Sequence, residues 1–271
     1  MLRKIITYLL ITVGTLLSIF PFYFMFTSAT NANTDILRSP PKLIFGTHLV
    51  QNFAALMAKI NIWQVAANSI FIAVAYTILA ILMFTAAGYA LAQFEFRGKK
   101  LAFVLVMATM MIPQQVIYIP LFNLINRVGL ANTHAAVILP LLANAFGIFL
   151  MRQNLLAFPA SIIEAARIDG SGEIKTFFAI VIPNLKPAIG ALGIYMFTSM
   201  WNNFMWPLII LGTKEKYTFP VALAMLDGNP NKKDFAMLML ATSLATLPIM
   251  LIFFIFQKQF VAGVMGGAVK E

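Results

Sequence analysis

The sequence predicts an all-α polytopic membrane protein with six transmembrane helices, and three observations support this. Hydrophobic residues make up 61% of the 271 residues, and mean hydropathy is +0.88. Charged residues make up only 10%, whereas soluble domains carry about 25%. Six apolar stretches lack Asp, Glu, Lys and Arg, and each is long enough to cross a bilayer core of about 30 Å. A single membrane domain covering residues 1–271 is the simplest division of the chain.

The six predicted spans alternate with polar segments. The first could be a cleaved signal peptide, but its apolar run exceeds the usual core of about 7–15 residues, so we expect a retained helix. Prolines inside the stretches are expected to kink helices at Pro113, Pro120, Pro140, Pro207 and Pro248. In chain order, the spans cover residues 5–27, 66–93, 101–124, 134–151, 187–211 and 235–256.

Basic residues set the predicted orientation. Arg3 and Lys4 precede the first span, and the loop after the second span contains Arg97, Lys99 and Lys100. Cytoplasmic loops are enriched in Lys and Arg, so both termini are predicted to be cytoplasmic. The net charge of +10 suits anionic lipid and includes no basic run typical of a nucleic-acid arm. Four later lysines then fall outside, against the rule: Lys214, Lys216, Lys232 and Lys233.

Several functional classes are disfavoured by what the sequence lacks. There is no cysteine, and His48 and His134 have no acidic residues spaced to complete a metal site. An ion-coupled secondary transporter usually holds ionisable residues within its spans, and these spans have none. No catalytic constellation is present. No Gly-x4-Gly-Lys-Ser/Thr loop occurs, so ATP would have to bind to another protein.

The segment after the first span contains a short amphipathic pattern. Phe53, Leu56, Met57 and Ile60 recur at helical spacing within residues 53–65. We expect this element to lie flat on the outer membrane face, with Trp63 as an interfacial anchor. Docking of an external partner is the alternative.

The long loop at residues 152–186 is predicted to form a helix–turn–helix in the cytoplasm. Ser161 and Glu164 have the spacing of a capping box at the start of the first helix. Asp169 and Gly170 then indicate a turn in which glycine takes a positive φ and Asp bonds to the first N–H groups of the next helix.

The second helix of this loop is predicted over residues 173–182. Ile174, Phe177, Phe178 and Val181 fall on one helical face. Two prolines, at positions 183 and 187, are expected to end the helix. A membrane protein without a soluble domain can bury this apolar face only against the ends of its own helices or against a partner protein, and we expect the partner.

The same loop resembles the EAA loop of ABC importer permeases, here residues 160–183. Glu164-Ala165-Ala166 is followed after three residues by Gly170, and then by Ile180-Val181-Ile182-Pro183, in which Ile182 replaces the usual Leu. Residues 149–153, 201–203, 259–263 and 266–270 also resemble the carbohydrate-uptake branch, that is, the MalG-type inner-membrane permeases. The resemblance covers essentially the whole chain.

This resemblance implies a non-catalytic permease that forms half of a translocation path with a second permease. The solute would be a sugar, with glycerol phosphate or another small polar solute as the alternative. The chain itself would bind no cofactor, since two cytoplasmic ATPase subunits would hold ATP and Mg²⁺, and an extracytoplasmic binding protein would deliver solute. Residues implied in coupling to the ATPase are Glu164, Ala165, Ala166, Arg167, Asp169, Gly170, Phe177 and Pro183.

Polar residues within the predicted spans are candidates for the translocation path, because such groups are costly in lipid unless they face a cavity or find partners. Hydrogen bonding between helices is the alternative for each. Gln114 and Trp206 belong to the wider set of polar and aromatic residues in these spans. The predicted path residues are Asn68, Gln115, Tyr118, Asn144, Trp201, Asn202 and Asn203.

Overall fold

The computed structural model describes residues 2–226 and 233–265, and every regular element in those ranges is helical. The all-α prediction is therefore confirmed for the described residues. Three helices are long and apolar enough to cross a membrane, and three further pairs of helices could each cross it as one bent span. The count reaches the predicted six only when each bent pair is taken as one span, and the last pair, at residues 173–201, differs from the predicted fifth span at 187–211.

The helices have the following bounds. The long ones are α1 (Leu2–Ser28), α4 (Ile62–Gln93) and α15 (Phe235–Met265), with α2 (Asn33–Leu37) and α3 (Leu49–Lys59) between the first two. The middle of the chain forms α5 (Lys99–Thr109), α6 (Gln114–Arg127), α7 (His134–Ile138) with a 3-10 turn (Leu139–Leu142), α8 (Ala145–Leu156), α9 (Ala160–Ile168), α10 (Glu173–Thr176) with a π-helical turn (Phe177–Val181), α11 (Ile182–Asn184), α12 (Lys186–Trp201), α13 (Met205–Ile210), a 3-10 turn (Lys214–Lys216) and α14 (Phe219–Leu226).

The chain divides into two compact units. The first comprises residues 1–66 and 219–249, and the second comprises residues 67–218 and 250–271. In the first unit, Asn33 Oδ1 accepts a hydrogen bond of 2.8 Å from the Phe235 backbone N–H. Asp234 Oδ1 accepts another of 3.0 Å from the Met237 N–H. These two bonds satisfy free N–H groups at the start of α15, as helix caps do.

The predicted amphipathic element at residues 53–65 differs from the structure. The helix that forms is α3, which ends at Lys59, and Trp63 lies in the first turn of α4. One face of α3 is buried at Asn52 and Leu56, and the Asn52 amide donates to Ala29 O at 2.9 Å. This face of α3 therefore packs against the protein itself, because the buried Asn52 amide is hydrogen-bonded to backbone carbonyl groups there.

In the second unit, small residues allow α4 and α8 to approach closely. A Cβ atom placed on Gly88 would lie 2.8 Å from the backbone nitrogen of Arg152 and 2.9 Å from Cβ of Met151. At the same end of α4, the Gln93 amide donates to Leu155 O at 2.6 Å. Close backbone approach at small residues is a common way for apolar helices to associate.

Three of the predicted spans are bent or broken. The third bends by 98° between α5 and α6, where Pro113 precedes α6, and the fourth bends by 48° before α8. The fifth was predicted as one run over 187–211, but α12 ends at Trp201 and α13 begins at Met205. Asn202 and Asn203 occupy this gap, and asparagine is a poor helix former. Of the other predicted kink prolines, Pro140 lies in the 3-10 turn before the 48° bend, and Pro120, Pro207 and Pro248 lie within helices.

Candidate functional site: a polar cavity and the EAA loop

Two adjoining cavities of about 370 and 30 Å³ lie in the second unit. Gln114, Leu141 and Asn144 line both of them. We call the two together the polar cavity after the polar side chains in its wall, although most residues that line the larger part are apolar. Its polar lining residues are Tyr76, Thr109, Gln114, Tyr118, Asn144, Ser199 and Asn203.

The polar cavity lies where three spans are interrupted. Gln114 begins α6 after the 98° bend, Asn144 precedes α8, and Asn203 follows the end of α12. Backbone that leaves a helix at membrane depth needs hydrogen-bond partners, which lipid cannot supply. Irregular backbone is therefore expected where it lines a cavity, and these breaks do so.

Hydrogen bonds order parts of the cavity wall. The Oδ1 atom of Asn144 accepts from the Gly147 N–H at 3.0 Å and so caps α8. The Tyr76 hydroxyl donates to Leu141 O at 3.2 Å. The Tyr118 ring stacks on Trp206, with centroids 5.8 Å apart. The cavity thus presents neutral amide and hydroxyl groups with an aromatic ring held in place.

The structure brings together only some of the predicted path residues. Tyr118, Asn144 and Asn203 line the cavity. Of the two neighbouring glutamines, which are both exposed, Gln114 lines the cavity and Gln115 lines neither part. Tyr76 and Ser199 also line it but lie inside otherwise apolar helices. Their place on the lining face depends on tertiary packing.

The remaining predicted path residues lie elsewhere in the second unit. The Asn68 amide is buried and donates to Glu215 O at 2.8 Å and Tyr217 O at 3.1 Å. Trp201 is buried with its ring stacked on Phe197 at 5.8 Å, and Asn202 is exposed. None of these three lines either part of the polar cavity.

The first helix of the EAA loop starts earlier than the predicted capping box requires. Pro159 occupies the N-cap position of α9, with no side-chain cap, so Ser161 is already inside the helix. Proline is well suited to a helix start because its φ is fixed near the helical value. The capping-box prediction is therefore wrong, and Glu164 is exposed on α9.

The turn after α9 has the predicted glycine conformation. Gly170 has φ +77°, in the left-handed region. The Gly170 N–H donates to Arg167 O at 3.0 Å, and the Ser171 N–H donates to Ala166 O at 2.9 Å. This pair of bonds is a Schellman motif, which closes a helix C-terminus. The predicted cap by Asp169 is wrong, because Gly172 precedes α10 and no side-chain cap is present there.

The second helix of the loop runs through Pro183 and bends only at Leu185, by 83°. The predicted single apolar face is wrong in part. Phe177 and Val181 are buried, but Ile174 and Phe178 are 78% and 54% exposed. Phe177 and Val181, four residues apart, thus lie toward the protein, and Ile174 and Phe178, also four residues apart, lie toward the surface. The four apolar residues are divided between these two sides of the helix.

An ion pair joins the two helices of the loop. Arg167 Nε donates to Glu173 Oε1 at 2.7 Å. This hydrogen bond favours the charged guanidinium and raises the pKa of Arg167. Tyr89, near the end of α4, donates its hydroxyl to Glu173 Oε2 at 3.3 Å. Neither Tyr89 nor Glu173 stands out in the sequence, since their partners are set by packing.

Long and broken apolar helices, a polar cavity at the breaks and an exposed helix–turn–helix define a multi-pass membrane transport subunit. Comparison with known proteins agrees. Residues 84–266 match the family described as binding-protein-dependent transport system inner membrane component. The chain belongs to this family, the non-catalytic permeases of ABC importers, which work with a partner permease, an ATPase and a solute-binding protein.

Individual relatives match nearly end to end. The chain is 37% identical to the lactose transport system permease protein LacG of Rhizobium radiobacter, over 98% of this chain and 96% of that protein. It is 33% identical to the arabinooligosaccharides transport system permease protein AraQ of Halalkalibacterium halodurans, over 96% of this chain and 96% of that protein. It is 29% identical to the sn-glycerol-3-phosphate transport system permease protein UgpE of Brucella abortus strain 2308, over 97% of this chain and 96% of that protein. A bacterial ABC transporter involved in alginate import shares the fold, with a TM-score of 0.84, 21% identity and 96% of each chain covered.

Proposed function

We propose that this permease forms half of the path for a neutral sugar, most simply a di- or oligosaccharide, in the bacterial inner membrane. The observation that carries the proposal is the polar cavity at three helix breaks. Its volume of about 370 Å³ falls in the range of ligand sites, roughly 300–1,000 Å³. The cavity residues Gln114, Tyr118, Asn144 and Asn203 act as the solute contacts in this proposal.

The chemistry of the lining favours a neutral solute over an anion. Amide and hydroxyl side chains both donate and accept, as sugar hydroxyls do, and Tyr118 offers an aromatic face. Phosphate or carboxylate groups are usually bound by Arg or Lys, and no Lys or Arg lines the cavity among the described residues. Glycerol phosphate, favoured by the likeness to UgpE, remains the second candidate.

The EAA loop is proposed to dock on the ATPase. Ile168 is 86% exposed, and with Ile174 and Phe178 it gives the loop an apolar surface flanked by the exposed Glu164 and Asp169. Exposed apolar clusters with a polar rim are typical of protein contacts. Ala165 lies exposed on α9 beside Glu164, and Pro183 is exposed as well, whereas Ala166 and Phe177 face inward and shape the loop.

The complete complex in this proposal contains one copy of this chain, a different partner permease, two ATPase subunits and an external binding protein. ATP and Mg²⁺ bind to the ATPase subunits. Residues 1–271 form one membrane domain of six spans, and both termini lie in the cytoplasm. Two of the positions used in the sequence analysis lie outside the described residues. They are residues 266–270, which carry part of the family resemblance, and Lys232, one of the lysines predicted to be external.

Solute uptake tests the proposed specificity. Proteoliposomes that contain the complex and its binding protein are assayed for ATP-dependent uptake of lactose, arabinooligosaccharides and glycerol 3-phosphate. The expected result is uptake of a neutral saccharide that excess glycerol 3-phosphate does not inhibit. Uptake of glycerol 3-phosphate unaffected by every neutral saccharide would establish the second candidate instead.

Cysteine labelling tests the orientation, since the chain has no native cysteine. In cells, Asp169→Cys should react with an impermeant maleimide only after the membrane is opened. Lys214→Cys, exposed before α14, should react in intact cells. Labelling of Asp169→Cys in intact cells would place the EAA loop outside, where an ATPase could not reach it.

A further inference from the structure

The Glu173 carboxylate is shared between two parts of the second unit. Oε1 accepts from Arg167 on α9, and Oε2 accepts from the hydroxyl of Tyr89 on α4. The distances are 2.7 and 3.3 Å. A carboxylate that uses one oxygen for each partner fixes both donors relative to each other, and charge-assisted bonds of this kind are stronger than neutral ones.

Aromatic contacts hold Tyr89 at this point. Its ring lies 5.3 Å from Phe94 and 5.5 Å from Phe177, centroid to centroid. The Arg167 guanidinium lies 5.7 Å from the Phe94 ring, within the range of a cation–π contact. Tyr89 is only 5% exposed. Tyr89 therefore contacts the second helix of the EAA loop, and Phe94, just after the end of α4, contacts Arg167 of the first helix.

Helix α4 connects this point to the polar cavity without a break. Tyr89 and Tyr76 lie on the same continuous helix, and at about 1.5 Å per residue they are roughly 20 Å apart along its axis. Tyr76 lines the cavity and donates to Leu141 O at the break before α8. A displacement of the EAA loop that pulls on Tyr89 thus acts on a rigid element that reaches the cavity wall.

We propose that Tyr89 is a positioning residue that tethers the EAA loop to α4 through Glu173, so that movement of the loop reaches the cavity. The inference rests on the proposed docking of the loop on an ATPase. It assigns to Tyr89 and Glu173 a role in coupling and none in solute contact. Contacts of the Tyr89 ring with Phe94 and Phe177 hold the Tyr89 hydroxyl in position to bind Glu173.

Two conservative variants isolate the tether. Tyr89→Phe keeps the ring contacts and removes only the hydroxyl, and Glu173→Gln keeps the shape and removes the charge. Tyr23→Phe is the matched control, because its hydroxyl donates to Leu43 O at 2.7 Å within the first unit, whereas the loop belongs to the second. All are measured in the complete complex in proteoliposomes, as ATP hydrolysed per solute imported and as complex yield.

The expected result is that Tyr89→Phe raises the ATP hydrolysed per solute about fivefold, with yield and the KM for solute unchanged. Tyr23→Phe leaves the ratio at the wild-type value. The double variant Tyr89→Phe, Glu173→Gln is no worse than the more affected single variant, because both act on one contact. A purely structural role would instead lower complex yield and leave the ratio unchanged.

Two results would overturn the inference. If Tyr89→Phe and Tyr23→Phe give the same ratio, the tether is wrong while the docking proposal stands. If the wild-type chain forms no complex with an ATPase at all, the docking proposal and the tether both fail.

Discussion

The polar cavity and the EAA loop use polar groups in opposite ways. In the loop, Glu173 accepts hydrogen bonds from Arg167 and from Tyr89 on α4, and the backbone of the turn at Gly170 is hydrogen-bonded within the loop. In the cavity, Gln114 and Asn203 line open volume. A region whose polar groups pair with one another keeps its shape when a bound partner protein moves it. A region whose polar groups face a cavity can exchange its partners for a solute.

This difference assigns the two regions distinct sensitivities. Substitutions in the loop should alter shape, and hence contact with the ATPase. Substitutions in the cavity should alter solute affinity and leave assembly intact.

Gly170→Trp is expected to have the largest effect. A non-glycine residue in the left-handed region costs about 1–2 kcal/mol, and the indole adds bulk to the turn between α9 and α10. ATP-driven uptake should fall at least about tenfold with normal membrane insertion, measured by transport and by fractionation. Wild-type uptake by this variant would contradict the proposed role of the loop.

Controls separate the conformation of Gly170 from its position. Gly170→Asn should retain most uptake because asparagine tolerates a positive φ. Gly172→Ala should be close to wild type, since Gly172 has φ −68° and open space around it. If all three variants lost uptake equally, the turn would exclude any side chain, and the positive φ of Gly170 would not be the cause.

The sequence predicted the features that depend on local chemistry. Long charge-free stretches indicated the helices, and Gly170 after Glu164-Ala165-Ala166 indicated the turn and its positive φ. The features it did not predict depend on packing between distant segments. Phe178 is exposed while the neighbouring Phe177 is buried, Tyr76 lines the cavity from a mostly apolar helix, and Tyr89 meets Glu173 across 84 positions of the chain.

Local sequence patterns gave wrong predictions where two interpretations were equally compatible with the residues. Ser161 and Glu164 fit a capping box by spacing, but Pro159 starts the helix first. Gln114 and Gln115 are identical in type, and only the 98° bend before α6 decides which one faces the cavity. Sequence alone cannot fix the direction of a side chain after a sharp bend, because each residue turns the helix by about 100°.

Adjacent phenylalanines in the loop provide a second test. Phe178→Ala should weaken binding of the ATPase about tenfold and leave thermal stability unchanged, because this ring is 54% exposed. Phe177→Ala should lower the melting temperature, because removal of a buried phenylalanine costs about 3 kcal/mol. Copurification with the ATPase and a thermal shift assay measure the two effects. If only Phe178→Ala lowered the melting temperature, Phe178 would be the ring that packs inside the protein, and the assignment of Phe177 to the interior would be wrong.

Asn144 tests whether the cavity binds solute. Asn144→Ser should keep the cap on α8, since serine is a good N-cap residue, while removing the amide that lines the cavity. The KM for solute is expected to rise about fivefold with normal complex yield. Asn202→Ala, in an exposed residue that does not line the cavity, should leave the KM unchanged. Loss of assembly in Asn144→Ser would show that its role is structural.

The two neighbouring glutamines give the smallest effect and the sharpest contrast. Gln114→Ala should raise the KM for solute about threefold, the loss of one ordinary hydrogen bond, because Gln114 lines both parts of the cavity. Gln115→Ala should leave the KM unchanged, since Gln115 lines neither part. The substitutions are chemically identical and one position apart, so differences in expression or helix propensity cancel in the comparison. An effect of Gln115→Ala equal to that of Gln114→Ala would mean that the solute does not follow the cavity formed by the three breaks.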